Sequence, residues 1–208
     1  MSAAPKPVAV PAAAPRKPAA KPAYVETYLQ GAIEGMSRVH RERGRAVFAL
    51  TSPNKGAGTT YVANLLAQEL VRQFDCTVAV IGSDSMKGSD PKHLPQGFVE
   101  DSPGIWSAVP DRALEQMPDF ALENIWISRG AQNFDFVLVD CPSLASNSQT
   151  ARWANAANGV FLVVEAGVTK VHQIESAKRS LEATGSHLQG IILNKRTYPI
   201  PRVLYKLI

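Results

Sequence analysis

Apolar residues recur at helical spacing near the start of the chain: Val25, Leu29, Ala32, Ile33, Met36 and Val39. This spacing predicts an amphipathic helix over 25–43. Arg45 to Leu50 reads as a short buried strand. A glycine-containing loop follows, then a helix from about Thr60 to Gln73 with Val62, Leu65, Leu66, Leu70 and Val71 on its inner face. Thr77 to Ile81 predicts a second strand and Ile125 to Ser128 a third. Phe136 to Val139 and Val160 to Val164 are near-continuous apolar runs, as expected of strands covered on both faces of a parallel sheet. Val168 to Ala183 predicts a helix, and Leu188 to Leu193 another buried strand. The Pro-punctuated end, Tyr198 to Ile208, is read as a helix closing the core in preference to a partner-binding segment. Strands alternating with helices predict an α/β domain, a mostly parallel sheet flanked by helices. One link does not fit: only Arg129 to Asp135 separates the third and fourth strands, and a parallel crossover needs about a dozen residues.

Composition changes this picture at the N-terminus. Residues 1–23 are Ala, Pro and Lys with few large apolar groups, which predicts a disordered tail. Residues 24–208 then form a single domain. The chain of 208 residues is 45% hydrophobic, enough for a full core, and carries a formal charge of +4. Lys6, Arg16, Lys17 and Lys21 lie in the tail, which holds no acid before Glu26. Without those 4, the 22 Lys and Arg fall to 18, equal to the 18 Asp and Glu. A neutral fold argues against nucleic acid as a partner, and the basic run Arg38 to Arg45 reads as a solvated helix end. Cys76 and Cys141 sit near predicted strands, so two reduced, buried thiols are expected. No run is long and apolar enough to span a membrane, and the start lacks a signal-peptide core. The expected location is cytoplasmic, with any membrane association made through a partner. His40, His93, His172 and His187 are scattered, so no metal site beyond magnesium is expected.

The candidate chemistry begins at Thr51-Ser-Pro-Asn-Lys-Gly-Ala-Gly-Thr-Thr60, which joins a buried strand to a helix start. Gly56, Ala57 and Gly58 let successive N–H groups turn toward one anion, and the helix N-terminus adds its partial charge. Thr60 stands where a P-loop places a magnesium-binding hydroxyl. The full P-loop pattern is not met: Pro53 replaces its first glycine and Thr59 its lysine. Asp140 ends the apolar run Phe136 to Val139, at the sheet edge where open α/β folds bind ligands. It is placed to hold a magnesium-bound water, as a Walker-B acid does. Thr60 and Asp140 are therefore the metal candidates, with ATP or ADP and magnesium as the implied cofactors.

Three stretches in order, Thr51 to Thr60, Phe134 to Pro142 and Gly159 to Gly167, and a fourth, Gly190 to Lys195, resemble the bacterial tyrosine kinases of polysaccharide synthesis and export. That family is a branch of the ParA/MinD-like P-loop group. The resemblance covers about Val25 to Lys195. It implies an adenine contact for Asn194, homo-oligomeric assembly, and a membrane-anchored polysaccharide co-polymerase or chain-length regulator as partner.

The departures from the family pattern are as informative. Thr59 replaces the phosphate-gripping lysine. A strand that normally ends in Asp-x-Asp here ends in Gly82-Ser-Asp84, so only the second acid remains. Glu26 aligns with the leading helix motif, but Leu29 and Ala32 replace its arginines. The helix before the Asp140 strand is read as deleted, which would account for the short link. Only Tyr198 and Tyr205 remain of a tyrosine-rich end. These losses favour a catalytically impaired regulator of polysaccharide assembly. The alternatives are an active ATP-dependent tyrosine autokinase or a ParA/MinD-like ATPase switch, with Lys55 supplying the missing charge and Asp84 and Asp140 completing the catalytic set.

Overall fold

The computed structural model describes residues 26–82, 98–108, 127–128, 130–147 and 150–196. The tail at 1–23, Asp84, and the end from Tyr198 to Ile208 lie outside the described residues. The described elements run α1 (Glu26–Arg43), β1 (Ala46–Thr51), α2 (Thr59–Phe74), β2 (Val78–Gly82), β3 (Phe98–Ser102), β4 (Ile105–Ala108), β5 (Phe136–Asp140), α3 (Thr150–Asn155), β6 (Gly159–Glu165), α4 (Val171–Ala183) and β7 (Leu188–Asn194). They form a seven-stranded sheet in the order β3-β4-β2-β5-β1-β6-β7. Every pairing is parallel except β3 with β4. The α/β fold read from the sequence, a mostly parallel sheet flanked by helices, is the fold observed.

The near-continuous apolar strands follow from two separate cores. Phe48 and Leu50 of β1, Phe136 and Leu138 of β5, and Phe161 and Val163 of β6 face α1 and α2. Their neighbours Val47, Ala49, Val137, Val139, Leu162 and Val164 face the other way, toward α3 and α4. A strand buried on both faces has no polar side to show, so period-two alternation vanishes. Leu29, Ile33, Met36, Val62, Leu66 and Leu70 carry the inner faces of α1 and α2. Cutting one of these leucines to alanine is expected to cost about 2–5 kcal/mol.

Helix ends follow from local chemistry. Gly44 takes a φ of 76° and donates its N–H to the His40 carbonyl, which stops α1. His40, Arg41 and Arg43 occupy the last turn, where cations offset the carbonyl ends. Arg38, Arg41, Arg43 and Arg45 are exposed, as a solvated helix end requires.

The expected strand at Ile125–Ser128 is overturned where it is described. Ile127 and Ser128 are helical, as are residues 130–133. Ile127 and Phe134 are buried, so this apolar stretch packs from a helix. The short link before β5 is thereby explained, because helical backbone, not a neighbouring parallel strand, leads into β5. The inferred helix deletion is corrected by the same residues. Arg45 ties this stretch down, donating from Nη1 to the carbonyls of Ala131 and Gln132.

Candidate functional site

β1 lies between β5 and β6, so its C-terminal end opens where the strand order reverses. The loop 52–58 leaves from that point. Gly56 and Gly58 have φ values of 88° and 86°, a region that side chains with a Cβ rarely enter. Gly58 is also the N-cap of α2. No side chain caps that helix and no acid lies in its first turn. Its leading N–H groups are thus an anion cradle of the kind that phosphate occupies.

The β5 loop is stitched to this loop. Thr51 Oγ1 donates to the Pro142 carbonyl at 2.7 Å. Leu144 N–H donates to the Ser52 carbonyl at 2.9 Å, and Cys141 N–H to the Leu50 carbonyl at 2.9 Å. Ser52 Oγ closes the turn on the Asn54 carbonyl at 2.9 Å. Leu50 and Asp140 are register partners, and so are Gly82 and Asp140.

The structure brings most of the expected residues together. Thr60 Oγ1 donates to Asp140 Oδ2 at 2.5 Å across 80 residues of sequence. Asp140 is buried at 9% exposure. A hydroxyl and a carboxylate oxygen converging beside the helix N-terminus fit a magnesium ion with its waters. Among the described residues no group of three or more His, Cys, Asp or Glu is gathered for any other metal. On the far side, Asn194 is buried and donates from Nδ2 to the Ala57 carbonyl at 2.8 Å. A Cβ on Gly58 would stand 2.4 Å from that Nδ2, so any larger residue there would push the Asn194 amide off the loop. Thr59, half-buried at the helix start, presents a hydroxyl where a P-loop presents an ammonium. Lys55 is exposed in the loop.

The sequence reading missed two residues here. Lys195 follows Asn194 with a φ of 55°, and its Nζ lies 3.2 Å from Glu165 Oε1. The signal available was the Asn-Lys pair at the end of the last strand. A cavity of about 240 Å³ opens next to the loop, bounded by Pro53, Asn54, Leu144, His172, Ser176 and Ser180.

Neither cysteine thiol lies among these site residues, and neither forms a disulfide. Cys141 is buried, whereas Cys76 is only half-buried, which corrects the expectation of two buried thiols. Cys76 lies at the opposite end of the sheet, beside the start of β2. Burial first, then the nearby Asp135 carboxylate, push its thiol up to about 12.

No protein-family model matches the chain. A stretch of 91 residues is 34% identical to the tyrosine-protein kinase CpsD of Streptococcus agalactiae serotype III, strain NEM316. That stretch is 42% of this chain and 39% of the CpsD protein. In fold, the chain matches the kinase domain of the Escherichia coli tyrosine kinase ETK with a TM-score of 0.64 at 18% identity. The match covers 85% of this chain and 83% of that domain. Cobyrinic acid a,c-diamide synthase of Mycobacterium smegmatis, seen with a bound ATP analogue and magnesium, matches with a TM-score of 0.51 at 19% identity. There the match covers 72% of this chain and 70% of the synthase. The chain is therefore homologous to the CpsD tyrosine kinases over that 91-residue stretch and shares the fold of bacterial tyrosine-kinase domains.

Proposed function

We propose that this chain is a nucleotide-binding, catalytically impaired relative of the bacterial tyrosine kinases that regulates exopolysaccharide or capsule synthesis or export. The observation that carries the reading is the Thr60–Asp140 pair, which stays assembled at 2.5 Å although Thr59 and Gly82 stand where a lysine and a carboxylate are expected. The loop N–H groups and the α2 N-terminus would hold the phosphates. Thr60 and Asp140 would hold magnesium, which neutralises phosphate charge when bound. Asn194 would orient the loop and the base from the β7 side. The missing ammonium removes a preorganised charge from the phosphates in the transition state, about 3–4 kcal/mol, or a factor of about 10²–10³ in rate. Gly82 lies in register with Asp140, so the absent carboxylate leaves nothing at that position to orient an attacking group.

Among the described residues no helix is long and apolar enough to cross a membrane. The proposed location is the cytoplasm, at the inner face of the membrane through a membrane-anchored chain-length protein. Homo-oligomeric assembly remains part of the proposal; nucleic acid does not.

Two measurements on the full chain test the reading. Calorimetry with ATP and ADP, with and without magnesium, is expected to show micromolar binding. Incubation with labelled ATP is expected to show little or no tyrosine phosphate. Strong magnesium-dependent autophosphorylation, lost in Asp140→Ala, would establish the active-kinase alternative instead. ATP turnover lost in Lys55→Ala would establish the ATPase switch.

A further inference from the structure

We infer that Lys195 supplies the phosphate-binding cation that residue 59 lacks, and that Glu165 holds it in reserve until nucleotide arrives. This rests on the reading that the loop binds nucleotide. The α2 N-terminus carries no compensating charge in its first turn, and Lys55 is exposed in the loop. Lys195 is differently placed. Its Cε lies 4.0 Å from the point that a Cβ on Gly58 would occupy, so its stem runs over the N-cap of α2. Its backbone is anchored there by the preceding residue: Asn194 bonds to the Ala57 carbonyl through Nδ2 at 2.8 Å and accepts from Ala166 N–H at 3.0 Å.

An ordinary structural ion pair does not account for this arrangement. The Lys195 and Glu165 side chains are 47% and 23% exposed, and a pair so open to water contributes little to stability. It would not repay the left-handed φ of 55° at a non-glycine residue. A weak resting partner is, however, what an exchangeable cation needs. Rotating the Lys195 side chain releases Nζ from Glu165 and brings it to an anion over Gly58, where the attraction adds to that of the helix N-terminus.

Lys195 approaches from the β7 side of β1, and Asp140 from the β5 side. The cation and the Thr60–Asp140 pair would therefore meet a bound nucleotide from opposite flanks. The cation supports binding without restoring transfer.

Calorimetry on the full-length protein and on Lys195→Met, Lys195→Arg, Glu165→Gln and Lys55→Met tests the inference. Lys195→Met keeps the stem and the backbone, and is expected to weaken ATP and ADP alike by about tenfold or more. Lys195→Arg should recover most of that loss. Glu165→Gln should tighten binding a few-fold, because it frees the cation; thermal melts check that each variant is folded. Nucleotide affinities of Lys195→Met within twofold of the unsubstituted protein overturn the inference and leave the nucleotide reading standing. So does a loss carried by Lys55→Met instead. An unsubstituted protein that binds neither ATP nor ADP overturns both.

Discussion

The two shoulders of β1 have fared differently. Toward β5 and β2 the site has kept Thr60 and Asp140 but has Gly82 in register beside them. Toward β6 and β7 it has kept a buried Asn194 bonded to the loop, with Lys195 and Glu165 paired close by. The first shoulder is where a reacting group would be oriented. The second is where a bound nucleotide would be gripped. On the proposed reading, chemistry and binding are built from different strands, so that one could be lost while the other is retained. The loop alone does not reveal this, because Thr59 belongs to both.

The strongest way to break the comparison is to refill the depleted shoulder. Thr59→Lys combined with Gly82→Asp is expected to raise ATP turnover by about 10²–10³-fold, measured as phosphate release. Binding should change far less. No gain would mean that the losses reach beyond these two positions. A smaller effect is expected from the seam between the shoulders. Gly58→Ala places a Cβ 2.4 Å from Asn194 Nδ2 at a φ of 86°. It should cost about 1–3 kcal/mol of stability by denaturant titration and abolish nucleotide binding. Retained binding would show that the loop and β7 need not fit closely. The smallest effect lies outside both shoulders. With its thiol pushed up to about 12, Cys76 should be alkylated slowly at pH 8 in the folded chain, and equally slowly with nucleotide present. The folded pKa lies above the unfolded one. Its contribution to stability is therefore complete below about pH 9 and is lost as pH rises from there toward 12. Nucleotide-dependent alkylation would connect the two ends of the sheet and blur the comparison.

Strands β1, β2, β5 and β6 were legible because each is an apolar run between turn residues, whereas β7 forms where expected but is not the buried strand expected, since it lies at the sheet edge with Ile191 and Leu193 exposed. The β3–β4 hairpin was not: of Phe98–Ser102 only Phe98 is buried, and Ile105–Ala108 buries only Ala108. An edge hairpin with so little covered surface leaves no periodicity to read. The six-residue helix α3 is too short to show a helical stripe. Ile125 to Ser128 misled for the opposite reason, since four apolar-rich residues suit a buried strand and a buried helix equally. At the site, Thr60 and Asp140 were visible from their places at a helix start and a strand end. Asn194 came only through family resemblance. Lys195 showed only as the second half of an Asn-Lys pair, because its nearness to Gly58 depends on a left-handed turn and on strand order.

The hydrogen bonds that define the site span 80 residues from Thr60 to Asp140 and 137 from Ala57 to Asn194. On a chain emerging from a ribosome, the loop is made early and its last partner more than a hundred residues later. α1, β1 and α2 can associate locally long before then, since nearby contacts form fastest. The site is therefore among the last parts of this molecule to exist during synthesis, and the Asn194 amide cannot brace the loop until β7 has joined the sheet.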